Sequence, residues 1–104
     1  MTWTVEIVRR ALKQIDRLPK TARESLTDLI RDMELHGPVR GNWPNYSRLS
    51  EDRHHCHIKK GKPTYVAIWE VTDKEIRLIE VKSNHLTLYL KMLSRNLLEK
   101  TTRL

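Results

Sequence analysis

The chain has a single cysteine, Cys56, among 104 residues. That excludes an internal disulfide and fits a reducing, cytoplasmic setting. Long apolar runs are missing as well. Nothing approaches the ~20 residues that cross a bilayer as a helix, so no membrane association is expected. The N-terminus, MTWTVEIVRR, lacks a basic start followed by an apolar stretch and does not read as a signal peptide. No repeat, low-complexity block or linker divides the sequence. Residues 1–104 therefore read as one domain, long enough for a modest core.

Acidic side chains are the scarcer charge: 13 Asp and Glu stand against 20 Lys and Arg, for a formal charge of +7. The excess is uneven. Residues 1–36 carry +1, residues 37–62 carry +4, residues 63–81 carry −2 and residues 82–104 carry +4. A patchy positive surface attracts polyanions, of which nucleic acid is the usual one.

What is present is a clear change of period. Residues 2–8, TWTVEIV, alternate, with Trp3, Val5 and Ile7 on one side, as in a half-buried strand. From Arg9, the residues Ala11, Leu12, Ile15 and Leu18 recur at helical spacing until Pro19 breaks the run. A second helix follows, with Thr21 and Glu24 at the spacing of a capping box. Its apolar stripe is Ala22, Leu26, Leu29, Ile30 and Met33. Gly37 and Pro38 end it, glycine tolerating a left-handed cap and proline being unable to continue a helix. After the turn-rich PVRGNWPN come short strands over 46–49, 54–60, 64–71 and 75–82, with tight turns at Gly61 and at 72–74. The 64–71 strand is apolar on both faces, as a central strand is. Leu86, Leu90, Leu93 and Leu97 predict a C-terminal helix over 86–99. The fold class is α+β: two N-terminal helices on one face of a small, mostly antiparallel sheet.

The segment RHHCHIKKGKPTYVAIWEV, residues 53–71, surrounds Cys56 with three histidines. Zinc needs about four convergent ligands. Neighbours on a strand face opposite ways, so His55 and His57 share one face while His54 and Cys56 share the other. No second cluster completes a site, and no metal or other cofactor is expected. Cys56 alternates with Ile58 and reads as a small core residue. The face of His55, His57 and Lys59 is polar and cationic, with Arg48 expected on the strand beside it. Such a face holds phosphates and supplies groups that titrate near neutrality. A solvated outer sheet face has the same composition.

The run HCHIKKGKPTYVAIWEV, followed by KEIRLIEV, resembles the RelE/ParE superfamily of bacterial toxins, and within it a HigB-like branch of cytotoxic translational repressors. Trp3 and Val5, Leu18–Pro19, the Met33–Glu34 to Gly37–Pro38 helix end, and Tyr46, Ser47 and Leu49 support the likeness, which covers about residues 3–82. The resemblance implies a β-α-α-β-β-β(-β) domain. It implies a toxin of a type II toxin–antitoxin system that cleaves mRNA on the ribosome, without a cofactor, and is held inactive by a cognate antitoxin in a hetero-oligomer. By the same resemblance His55 and His57 fall where RelE-type enzymes carry catalytic lysines, and Lys59 continues the row. Lys60 and Lys62 border the turn as phosphate contacts, and Arg48 joins them. The family's arginine on the next strand has no match in Pro63–Val66; Tyr65 there either stacks on a base or sits in the core. The tail departs further: His85 and Tyr89 echo a terminal catalytic motif, but its Glu is missing and the spacing is one residue short. Two other functions are open on these residues: a ParE-like inhibitor of gyrase that cuts nothing, and a basic RNA-binding domain without catalysis.

Overall fold

The computed structural model describes residues 3–59 and 63–83. β1 (Thr4–Ile7) leads into α1 (Arg9–Asp16) and α2 (Lys20–His36), followed by β2 (Ser47–Arg48), β3 (Arg53–Lys59), β4 (Tyr65–Thr72) and β5 (Glu75–Ser83). The five strands form one sheet in the order β1-β5-β4-β3-β2. β1 runs parallel to β5 and every other pair is antiparallel. The expected α+β class is the one observed, and the strand bounds differ by one or two residues. The helix expected over 86–99 and the turn at Gly61 lie outside the described residues.

The helices cover one face of the sheet because their apolar stripes match its inward positions. Ala11, Leu18, Ala22, Leu26, Leu29 and Met33 meet Cys56, Ile58, Ala67, Trp69, Ile76, Leu78 and Val81 in one buried cluster. A fully buried Leu, Met or Trp in such a layer contributes roughly 1.5–3 kcal/mol by area. β4 lies at the centre of the sheet, as its two-faced apolarity implies.

The start of α2 is not the expected one. Pro19 occupies the N-cap position, no side chain caps the helix, and Thr21 already lies inside it. The proline carbonyl instead accepts the Arg23 amide at 3.0 Å, and Glu24 lies 4.0 Å from Lys20 one turn back. Proline, pre-set in φ and lacking an amide, fits the helix entrance without a side-chain partner. At the other end Gly37 has φ 92° and ψ −173°. This is not the left-handed helical cap but a region only glycine enters readily. A Cβ there would also lie 3.0 Å from the Trp3 indole nitrogen. Trp3 is tied to the same place, its amide donating to the Glu34 carbonyl at 2.8 Å.

Short outer strands leave parts of their long neighbours unpaired, and other elements close these gaps. β1 pairs with β5 only as far as Leu78, and beyond it the Val81 amide donates to Gln14 Oε1 of α1 at 2.7 Å. β2 pairs with β3 only at His54 and His55, and beyond it the His57 amide donates to the Pro44 carbonyl at 2.8 Å.

Candidate active site

Cross-strand partners share a face of a sheet, so the register assigns the sides. His54 pairs with Trp69 and Cys56 with Ala67; all four are buried, and they line the helix side. His55 pairs with Ile68 and His57 with Val66, on the side away from the helices. The two imidazoles are partly exposed there, their ring centroids 6.2 Å apart and edge to face.

His55 is oriented by β2. Its Nδ1 lies 2.9 Å from Ser47 Oγ and 3.3 Å from the Ser47 carbonyl oxygen. A carbonyl only accepts, so both contacts are hydrogen bonds when the proton is on Nδ1. That tautomer leaves Nε2 as the basic nitrogen of the ring.

Lys59 does not continue the row. The register slips between His57 and Lys59, and Lys59 pairs with Tyr65. An extra residue in a ladder interrupts the strict alternation of faces. Tyr65 is half-buried and packs against the helix-side core, which is the second of its two expected places. Arg48 lies on the strand beside β3, as expected. It pairs with His54, whereas Ser47 pairs with His55, so Ser47 rather than Arg48 shares the imidazole face. Lys60, Lys62, His85 and Tyr89 lie outside the described residues.

Two residues that sequence reasoning passed over belong to this face. Val66 pairs with Lys82 and Ile68 with Glu80 across to β5. The side away from the helices therefore carries one row of Ser47, His55, Ile68 and Glu80, and a second of His57, Lys82 and, between them, Val66, which is 1 % exposed. Lys82 Nζ lies 2.7 Å from Glu80 Oε1, and Arg10 reaches the same carboxylate oxygen at 3.3 Å. The signal for both was present: Val81 points inward, so its neighbours point outward. A third row holds Arg53, Glu70 and Arg77, with Glu70 3.5 Å from Arg53 and 3.9 Å from Arg77.

The third histidine has a different setting. His54 is 1 % exposed. It lies flat on Trp69, centroids 5.9 Å apart and planes 4° apart, and stacks on Tyr46 at 5.8 Å. Its Nδ1 is hydrogen-bonded to the Tyr46 hydroxyl at 2.6 Å. Burial, helped by the Arg48 charge, lowers its pKa, and burial raises that of Tyr46 against the pull of Arg48 and Arg40. Both groups are thus held uncharged. Cys56 is fully buried and its thiol is pushed up to about 12, which makes it inert as a nucleophile. Among the described residues no three potential metal ligands converge. A cavity of about 390 Å³ opens at the β4–β5 turn, lined by Thr4, Thr72, Asp73, Lys74 and Glu75; none of the site residues lines it.

No family model matches the chain, and no curated protein matches it. Solved structures do. A mutant of the E. coli toxin RelE in complex with an antitoxin RelBc peptide is 23% identical with a TM-score of 0.67, covering 88% of this chain and 95% of that one. A RelE mutant from E. coli in the free state is 20% identical with a TM-score of 0.66, over 91% and 98% of the two chains. YoeB from Staphylococcus aureus, a dimer, is 13% identical with a TM-score of 0.64, over 82% and 100%. This chain shares the RelE fold.

Proposed function

We propose that the chain is the toxin of a toxin–antitoxin pair and that it cleaves mRNA on the ribosome, at the open face of its sheet, so stopping translation. The observation that supports this best is the imidazole pair. The ring centroids of His55 and His57 are 6.2 Å apart on the side away from the helices, with Lys82 two strands away in the row of His57. RNA scission needs three things. One group takes the proton of the 2′-hydroxyl as that oxygen attacks its neighbouring phosphorus. A second neutralises the crowded phosphorane. A third returns a proton to the departing 5′-oxygen. Imidazoles do the proton steps well, and His55, with Nε2 basic, suits the first. His57 suits the third. The Lys82 ammonium supplies charge where it develops. Dependence on the 2′-hydroxyl restricts the reaction to RNA.

The same reading includes a cognate antitoxin, as the E. coli RelE structure contains one. An acidic or amphipathic segment that folds on the basic chain would cover the open face and form a toxin–antitoxin hetero-oligomer.

The test is mRNA cleavage on translating ribosomes by the wild type and by His55→Ala and His57→Ala. Each substitution is expected to slow cleavage ~10²–10⁴-fold, the usual worth of a general acid or base. Full activity in either variant removes that residue from the mechanism.

One observation favours a second reading, a toxin that binds and inhibits gyrase without chemistry. Glu70 and Glu80 lie against Arg53, Arg77, Arg10 and Lys82, which reduces the charge offered to a phosphate. Loss of supercoiling by purified gyrase, with intact mRNA on ribosomes, would establish that reading instead.

A further inference from the structure

β2 is two residues long and both are exposed. It buries no apolar side chain of its own and meets β3 at two positions, so its place is set by what flanks it. On the C-terminal side the Leu49 and Ser50 amides donate to the Arg53 carbonyl at 2.8 and 3.3 Å. These bonds close the hairpin, but Leu49 itself is 52% exposed and adds little hold. On the N-terminal side stands Tyr46, packed against the core. Its hydroxyl bonds His54 Nδ1 at 2.6 Å, His54 lies on Trp69, and the Trp69 indole donates to the Pro38 carbonyl at 3.0 Å. A chain of contacts therefore runs from the core to the residue immediately before Ser47.

Ser47 is the residue that holds His55. Its carbonyl and hydroxyl both meet His55 Nδ1, and the carbonyl contact is a hydrogen bond only in the Nδ1-protonated tautomer. A shift of β2 along or away from β3 would lengthen these contacts.

We propose that Tyr46 and His54 are positioning residues for His55: their part-buried phenol–imidazole bond clamps β2 onto β3, so that Ser47 keeps Nδ1 protonated and presents Nε2 on the open face. The catalytic half of this rests on the reading of His55 as a proton-transfer group; the structural half does not. Burial favours the uncharged form of both partners, so the clamp is a bond between neutral groups and holds through neutral pH.

The test uses the full chain and two variants that each keep an aromatic ring in the stack, Tyr46→Phe and His54→Phe. Imidazole nitrogen spectra of 15N-labelled protein report the tautomer of each histidine. The wild type is expected to show His55 protonated at Nδ1. Both variants are expected to lose that preference, and to lower kcat for ribosomal mRNA cleavage ~10–100-fold with KM unchanged, the scale of a misplaced group. An unchanged His55 tautomer in a folded variant overturns the proposal. If both variants lose their cooperative unfolding transition, the pair carries the core rather than the strand, and the proposal is likewise overturned. If the tautomer shifts but the wild type cleaves no RNA, the clamp stands and the RNA-cleavage reading falls.

Discussion

His54 and His55 are adjacent and chemically opposite, and the difference comes from one step of the strand. His54 faces the helices, loses its hydration and is held neutral; His55 faces outward against Ser47. The pH consequence belongs to the buried ring. Its folded pKa lies below the ordinary 6.5, so in acid the unfolded chain takes up a proton that the native state refuses. The contribution of this ring should therefore be constant above neutrality, fall as pH drops through about 6.5, and level off once the native ring is protonated too. Urea unfolding across this range measures it, and His54→Phe should flatten that part of the curve. Gly37 gives a second prediction at this scale. Its φ of 92° and the Trp3 ring beside it leave no room for a side chain, so Gly37→Ala should cost at least ~1–3 kcal/mol in denaturant unfolding. That Gly37 ends the helix was legible in its sequence position. That Trp3 crowds it was not, because the contact joins residues 34 positions apart, and no local pattern encodes it.

Among the elements, those with a strong period were readable and those set by tertiary contacts were not. The alternation of β3 placed His55 and His57 outward from residue types alone, and the two-faced apolarity of β4 put it at the centre. The slip that removes Lys59 from the row had no local signature, since no glycine or proline marks it. The capping box at Thr21 was a plausible motif overruled by a stronger one: Pro19 is a ready-made helix entrance, and the helix begins two residues earlier. Arg48 was rightly put on the neighbouring strand, but its face was not readable because a two-residue strand has too short an alternation to reveal its parity. Lys82 lies on a different strand from the histidines, and only the pairing of β4 with β5 brings it to their face. Its role is testable. Lys82→Ala should slow RNA cleavage ~10²–10³-fold, as loss of one charge-stabilising group does, while Lys82→Arg should retain most of it. Single-turnover cleavage separates the two variants. Trp69 serves the elements differently, joining β4 to the loop after α2. Trp69→Phe keeps most of the apolar area but loses the bond to the Pro38 carbonyl, and should lower stability by ~1–2 kcal/mol in urea.

At the scale of the molecule, the fold class, the helix-covered face and the open face were all expected from period and charge, while the surface balance was not. Residues 63–81 carry −2 within a chain of +7, and on the described side away from the helices their carboxylates interleave with the cations. Sequence totals count charges and cannot say which ones meet. Binding to RNA should still weaken steeply with salt, because phosphate contacts release counterions. A plot of log affinity against log salt concentration should be linear, and its slope should shrink when Lys82 is replaced by Ala.

The bond from the Val81 amide to Gln14 Oε1 bears on how the protein behaves in a crowded solution. An unpaired amide on the margin of a sheet is a template on which another extended chain can add, the first step toward fibres. One glutamine from α1 occupies that template at the point where β1 stops. With Gln14→Leu the amide is released, and concentrated samples should scatter light increasingly with time while the parent chain stays clear.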